Sequence, residues 1–98
     1  MLTSKQRSKL RGMANAIEPV TQVGKGGITT NMIRTLSSAL EARELIKVTV
    51  LESSGEAAKE MINTLANELQ AEPIQTVGSK ITLYRRSEKK GIEHIELD

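Results

Sequence analysis

The chain has 98 residues, of which 38% are hydrophobic, and this length is typical of one small domain with a single core. Tyr84 is the only aromatic residue, which argues against platforms of the RRM or OB type that stack bases on several rings. Cysteine is absent, which excludes disulfides and thiolate metal sites, and no apolar stretch has the length of a secretion signal or membrane span, so we expect a cytoplasmic protein.

The net charge of +2 is distributed unevenly. Residues 1–40 carry six Lys/Arg against one Glu, and residues 41–79 carry seven Glu against three Lys/Arg. Residues 80–90 are basic again, and residues 91–98 are acidic. Two basic segments therefore bracket an acidic middle, which favours a polyanionic partner, although a solvated surface of mixed sign without any partner is the alternative.

The first predicted element is an amphipathic helix over residues 4–17. Thr3 and Gln6 form a capping-box pattern, and apolar residues recur at helical spacing from Leu10 to Ile17. Projected at 100° per residue, four cations fall on the polar side of this helix: Lys5, Arg7, Lys9 and Arg11.

A short strand over residues 19–23 is followed by Gly24-Lys25-Gly26-Gly27, which we call the glycine loop. Thr29 or Thr30 can then cap a helix that runs to about Glu44. Arg34 lies in the early turns of that helix.

Residues 45–51 are rich in β-branched and apolar side chains, which predicts a central strand. Ser53 and Glu56 form a second capping-box pattern and predict a helix from there to about Gln70.

Two short strands over residues 74–77 and 80–86 complete the predicted elements, joined by the tight hairpin turn Gly78-Ser79. We expect one domain over residues 1–87 and a loose polar tail over residues 88–98.

The predicted order is α-β-α-β-α-β-β, an α/β fold of the two-layer α+β kind with a four-stranded mixed sheet. Right-handed crossovers make the first three strands parallel and the fourth antiparallel. The glycine loop, the Ser53 region and the turn before Lys80 then share the edge at which open α/β sheets bind ligands. A first helix running antiparallel to the first strand would bring Lys5 and Arg7 to this edge, whereas Arg85 and Arg86 would lie at the opposite one.

The glycine loop has the spacing G-x-x-G, by which KH domains clamp a nucleic-acid backbone. Neither the P-loop spacing nor the dinucleotide fingerprint is present. Glycines allow close approach of the backbone to phosphate, and Lys25 adds a mobile cation. A turn that binds no ligand is the alternative on the spacing alone.

Catalytic residue types are scarce. His94 is the only histidine and Asp98 the only aspartate, and both lie in the tail. The glutamates mostly fall on exposed helix faces, and Tyr84 is better explained by core packing than by base stacking. We therefore expect no enzyme activity, metal, cofactor or small-molecule substrate.

Five motifs, in order along the chain, resemble those of the YhbY-like proteins, the bacterial stand-alone form of the CRM (chloroplast RNA splicing and ribosome maturation) domain. The resemblance covers residues 4–86. The motifs are Leu10-Arg11-Gly12, Pro19-Val20, Val23 to Thr29, Glu44 to Val48, and Val77-Gly78 with Leu83-Tyr84-Arg85.

The resemblance implies a fold similar to the C-terminal domain of translation initiation factor 3. It also implies an RNA-binding protein that associates with ribosomal RNA in precursors of the large ribosomal subunit, as a ribosome-assembly factor, and we expect a monomer. The predicted RNA-binding residues are Gly24, Lys25, Gly26, Gly27, Lys5, Arg7, Lys9, Arg11, Arg34 and Lys80.

An alternative function is a protein-interaction module. The acidic middle of the chain would then dock on a ribosomal protein or an assembly factor through Glu56, Glu60 and Glu68.

Overall fold

The structure is a computed structural model that describes residues 2–97. Met1 and Asp98, the outer ends of the predicted domain and tail, lie outside the described residues. The predicted order of elements is confirmed, with one added 3-10 helix. The elements are α1 (Ser4–Ala14), β1 (Pro19–Val23), α2 (Thr30–Arg43), β2 (Leu45–Val50), the 3-10 helix (Glu52–Ser54), α3 (Ala58–Leu69), β3 (Glu72–Val77) and β4 (Lys80–Tyr84).

The four strands form one mixed sheet in the order β1-β2-β4-β3. β1 and β2 are parallel, and β4 runs antiparallel to both β2 and β3. The first three strands therefore point in one direction and the fourth in the other, as predicted. A two-residue turn joins β3 to β4, and Gly78 supplies its positive φ of 59°.

Helices cover both faces of the sheet. In β2 the side chains of Ile46, Val48 and Val50 enter a larger core with α2 and α3, whereas Leu45 points to the other face. α1 packs on that other face and adds a third layer to the two that the sequence predicted. The smaller core beneath α1 consists of four buried side chains: Leu10, Leu45, Ile74 and Tyr84.

The predicted caps of the first two helices are confirmed. The Gln6 N–H donates to Thr3 Oγ1 at 3.1 Å, and the Thr3 N–H donates back to Gln6 Oε1 at 2.9 Å. Thr29 caps α2 by accepting the Met32 N–H at 3.1 Å. α1 ends at Ala14 rather than at residue 17.

The predicted start of the third helix at Ser53 is wrong. Gly55 takes a left-handed φ of +81° and interrupts the helical path between Ser53 and Glu56. The hydroxyl of Ser54 bonds instead to the backbone N–H and C=O of Glu56, at 3.3 and 3.1 Å. α3 therefore begins only at Ala58, without a side-chain cap.

Both edge strands of the sheet are irregular near a proline. β3 begins before the predicted residue 74 and contains Pro73, and its register against β4 shifts between Pro73 and Gln75. β1 begins at Pro19, and its register against β2 shifts between Pro19 and Thr21. Proline fits these positions because an edge strand has one side without ladder hydrogen bonds.

The segment that was expected to be a loose tail is packed against the domain. Ile95 and Leu97 contact the smaller core, and the Lys9 ammonium donates to the carbonyl of Glu96. The described part of this segment therefore extends the layer formed by α1.

Candidate functional site

The glycine loop is a tight turn whose conformation depends on two of its glycines. The Gly27 N–H donates to the Gly24 carbonyl at 2.9 Å and closes a four-residue turn. Gly26, at the third position, has φ +96°, which a type II turn requires, and Gly27 has φ +63°. The turn leaves Lys25 at its exposed corner.

Gly24 is needed for a different reason, namely close packing. A Cβ at this position would lie 3.3 Å from Leu51 Cδ1 and 3.4 Å from Ser53 Oγ. The Leu51 N–H also donates to the Val23 carbonyl at 2.9 Å, directly before the loop. The glycine loop is thus seated against the segment that follows β2.

The geometry of the loop predicts its response to substitution. Because alanine is strained at φ +96°, we expect Gly26→Ala to lower the free energy of unfolding by about 1 kcal/mol. Gly12→Ala is the matched control, since Gly12 lies within α1 where an added Cβ meets nothing within 4 Å, and it should stabilise by about 0.5 to 1 kcal/mol. Urea denaturation of both variants measures these changes in the free energy of unfolding, which should have opposite signs. A Gly26→Ala variant that is more stable than wild type would contradict the turn assignment.

Two further cations lie on elements that adjoin the loop. Lys80 begins β4 opposite Thr49, and the neighbouring Ser79 carbonyl accepts the Val50 N–H at 2.7 Å. Since Val50 pairs with Val23, Lys80 lies at the same edge of the sheet as the glycine loop, as expected. Arg34 is exposed one turn into α2, the helix that starts after the loop.

The predicted arrival of Lys5 and Arg7 at this edge is wrong. The Arg7 guanidinium donates to the Pro73 carbonyl at 2.7 Å and to Glu72 Oε1 at 3.0 Å. These residues begin β3 and are in register with the start of β2, at the opposite end of the strands from the loop. α1 packs chiefly on β2, β3 and β4 instead of running along β1, so Lys5 in the same first turn also lies away from the loop.

The cations of α1 therefore form a separate basic patch. Arg7 and Lys9 already have acceptors within the chain, at Glu72 and Glu96. Lys5 and Arg11 are exposed. A ligand that contacts both this patch and the glycine loop would have to span the sheet.

Lys47 is a further cation, on β2, that the sequence did not identify as a site residue. It pairs with Thr82 in the register between β2 and β4, and it is half-buried. Lys80, two residues before Thr82, is its diagonal neighbour on the same face. To recognise that Lys47 and Lys80 are neighbours, one must know the order of the strands in the sheet. The spacing of residues along the sequence does not give this order.

The acidic residues of the alternative function are accessible. Glu56, Glu60 and Glu68 are exposed, and none forms an ion pair with any residue between 2 and 97. Glu60 and Glu68 lie on α3, and Glu56 precedes it.

One carboxylate that the sequence did not single out is fully buried. Glu44 accepts hydrogen bonds from the Ser87 N–H and the Ile95 N–H, each at 2.7 Å, and from His94 Nδ1 at 2.6 Å. Burial raises the pKa of Glu44, but the hydrogen bonds from His94, Ser87 and Ile95 together hold this pKa below its ordinary value. Because the carboxylate is ionised and its oxygens are occupied, Glu44 is a structural anchor.

Tyr84 packs in the smaller core and is only 6% exposed, which confirms core packing over base stacking. Burial raises the pKa of its phenol, and the charge of Glu44 adds to the rise. Within residues 2–97, no group of three His, Asp or Glu side chains is placed to hold a metal ion. In the same residues, no helix combines the length and apolar character that crossing a membrane requires.

Comparison with known families gives a match over most of the chain. The sequence profile of the CRS1 / YhbY (CRM) domain matches residues 2–85. This range includes the glycine loop, all three helices and all four strands.

Individual relatives have similar lengths. The chain is 46% identical over 94 residues to "Probable RNA-binding protein YqeI" of Bacillus subtilis, covering 95% of this chain and 98% of that protein. It is 36% identical over 92 residues to an "RNA-binding protein" of Haemophilus influenzae, covering 94% and 93%. A solution structure of hypothetical protein SAV1595 from Staphylococcus aureus, described as a candidate RNA-binding protein, has 42% identity and a TM-score of 0.74, covering 97% of this chain and 100% of that one.

Proposed function

The chain belongs to the CRS1/YhbY (CRM) family, and from that premise we propose that it is a non-catalytic RNA-binding protein. The observation that carries the proposal is the glycine loop, a hydrogen-bonded turn that exposes Lys25 at the carboxyl ends of β1 and β2, the edge at which open α/β sheets usually bind ligands. The names of its relatives, which describe RNA-binding proteins, support the same ligand.

Phosphate is the group that this loop fits best. With no Cβ at three of its four positions, the loop lets a phosphate approach the backbone closely, and the positive end of the α2 dipole follows it. Lys25 supplies a mobile charge, and Arg34 and Lys80 add charge on the adjoining elements. Phosphate contacts of this kind position an RNA without reading its bases, so specificity would come mainly from RNA shape.

The basic patch of α1 adds a second area of contact in this proposal. The proposed RNA-contacting residues are Gly24, Lys25, Gly26 and Gly27 in the loop, Arg34 and Lys80 beside it, and Lys5, Arg7, Lys9 and Arg11 on α1.

Binding to RNA backbone predicts a specific dependence on salt. We expect Lys25→Gln to weaken binding to a ribosomal RNA fragment about 3- to 10-fold and to reduce the log–log salt slope by about 0.7 to 0.9, because one phosphate contact is lost. Lys59→Gln is the control, since Lys59 is exposed on α3 and the variant has the same net charge. Filter binding at several salt concentrations measures both quantities, and equal affinities for the two variants would remove the loop from the site.

The finer proposal is that the protein acts in the cytoplasm, as a monomer, on precursors of the large ribosomal subunit. The five motifs of the family resemblance support it. Crosslinking the protein to RNA in cells and sequencing the attached fragments tests it directly: enrichment of large-subunit precursor RNA is the expected result. Association with a ribosomal protein that survives nuclease treatment but is lost after Glu56→Lys, Glu60→Lys and Glu68→Lys would favour the protein-docking alternative.

A further inference from the structure

The face of the sheet that carries α1 is only partly covered. Leu45 and Tyr84, at one end of this face, are buried in the smaller core beneath the helix. Alternation along β2 places Lys47 and Thr49 on the same face, farther toward the glycine loop, and both are partly accessible. α1 therefore leaves the loop-side half of this face open.

The register of the strands defines the open half. Lys80 pairs with Thr49 and with Val77, so these three side chains share a row across β2, β4 and β3. We call the uncovered area the open sheet face, and it consists of Gln22, Lys47, Thr49, Leu51, Gln75, Val77 and Lys80.

The open sheet face contains unusual side chains for an exposed surface. Leu51 and Val77, which are 37% and 63% exposed, are the two exposed large hydrophobic residues in the described part of the chain. Leu51 continues the alternation of β2 because its backbone is extended, with φ −84° and ψ 154°. The residues of this face thus include two exposed apolar side chains and two lysines, and the carboxylates of Glu52 and Glu56 lie beyond its loop end, where they line a pocket with Leu51. Exposed apolar groups in water favour a contact site, and the lysines favour an anionic partner.

The open sheet face is continuous with the glycine loop. Leu51 Cδ1 is the atom that a Cβ on Gly24 would approach to 3.3 Å, so Leu51 joins the two areas. From the row of Val50 to the row of Lys47 the strand extends about 10 Å, which lengthens the basic area beyond the loop.

We propose that the open sheet face binds a single-stranded RNA segment that continues from the glycine loop. Lys47 and Lys80 contact phosphates, Val77 and Leu51 contact sugar and base faces, and Thr49 is placed to hydrogen-bond a ribose hydroxyl. This inference rests on the proposed RNA-binding function. A standard protein interface needs about 800 Å² per partner around an apolar centre, whereas this face offers two aliphatic side chains among polar ones, which favours RNA.

The length of the bound RNA tests the proposal. A G-x-x-G loop alone clamps about four nucleotides, so an additional surface should add affinity for longer strands. We expect a labelled oligouridylate of about ten nucleotides to bind at least about 10-fold more tightly than one of about four nucleotides, measured by fluorescence anisotropy at one salt concentration.

Paired variants test whether the higher affinity for the long strand comes from the open sheet face. The double variant Lys47→Gln/Val77→Ser, which keeps the loop-side Lys80, should lose most of the gain for the long strand, about 5- to 10-fold, and bind the short strand as wild type does. The control Lys59→Gln removes the same charge from an exposed position outside this face and should keep the gain. Thermal unfolding checks that each variant is folded, and Val77→Ser alone, at a side chain that is 63% exposed, replaces the double variant if that one unfolds.

Each outcome decides between the two proposals. If Lys25→Gln weakens binding of both strands while the Lys47/Val77 variant matches its control, the open sheet face is excluded and the proposed function stands. If wild-type protein binds neither strand nor ribosomal RNA, both proposals fail. A Lys47/Val77 variant that loses an acidic protein partner but keeps its affinity for the long RNA would overturn the inference in favour of a protein-docking face.

Discussion

Replacing Glu44 with Gln is expected to lower the free energy of unfolding by about 2 to 4 kcal/mol, measured by urea denaturation at pH 7. The Glu44 side chain is fully buried and accepts three hydrogen bonds, from Ser87, His94 and Ile95. In the variant an amide NH₂ group faces donors and leaves at least one of them without an acceptor. Loss of the buried charge also removes the attraction that holds the His94 ring.

The stability that Glu44 contributes should decrease in acid. Because the pKa of Glu44 is lower in the folded protein than its ordinary value of 4.5, the carboxylate stabilises the fold fully above that value. This stabilisation is lost as the pH falls through the lower, folded pKa. The difference in stability between wild type and Glu44→Gln should therefore narrow as the pH falls from about 5 toward 3.

Glu68→Gln is the matched control for Glu44, since Glu68 is exposed on α3 and the substitution is chemically identical. This substitution should change the free energy of unfolding by no more than about 0.5 kcal/mol, both at pH 7 and as the pH falls toward about 3. A Glu44→Gln variant as stable as this control would show that the buried carboxylate contributes little.

Replacing Arg85 with Met should lower the free energy of unfolding by about 1.5 to 3 kcal/mol. The Arg85 guanidinium donates to the Leu69 carbonyl at the end of α3, at 2.8 Å, and to the Ser37 carbonyl of α2, at 3.0 Å. It also pairs with Glu41 at 3.2 Å. Methionine fills part of the volume but satisfies neither carbonyl, so the link between α2 and α3 is lost.

Arg86 provides the control because it is the next residue, carries the same charge and is exposed. Arg86→Met should change the stability by no more than about 0.5 kcal/mol. Equal losses in the two variants would indicate that net charge, rather than the hydrogen bonds of Arg85, sets the effect.

Local signals in the sequence were sufficient for most of the fold. The Thr3 and Thr29 caps, the β-branched run of β2 and the Gly78-Ser79 turn act over a few residues, so their patterns identify the elements directly. The start of α3 was missed because Gly55 and the Ser54 hydroxyl offered the backbone a competing turn that a capping-box pattern does not reveal.

Features that depend on distant contacts could not be predicted. Glu44 ends α2 with φ +66°, a conformation for which glycine is the usual residue, and its partners lie more than 40 positions away in sequence. The direction of α1 across the sheet, fixed by the Arg7 bonds to Glu72 and Pro73, likewise has no local signal.

Only those residues of the candidate site that can be identified from spacing and strand direction were predicted. The glycine loop and Lys25 follow from spacing, and Lys80 follows from the parallel arrangement of the strands. Lys47 could not be identified, because its approach to Lys80 depends on β4 lying between β2 and β3.

The irregular strand starts at Pro19 and Pro73 have a consequence for self-association. Both lie in the outermost strands, where a regular row of unpaired backbone N–H and C=O groups would offer a template for another strand. A proline lacks the donor, and the shifted register beside it breaks the repeat, so neither border presents a complete ladder. We therefore expect edge-to-edge pairing between two copies of the sheet to be disfavoured, which leaves the faces and loops available for other molecules.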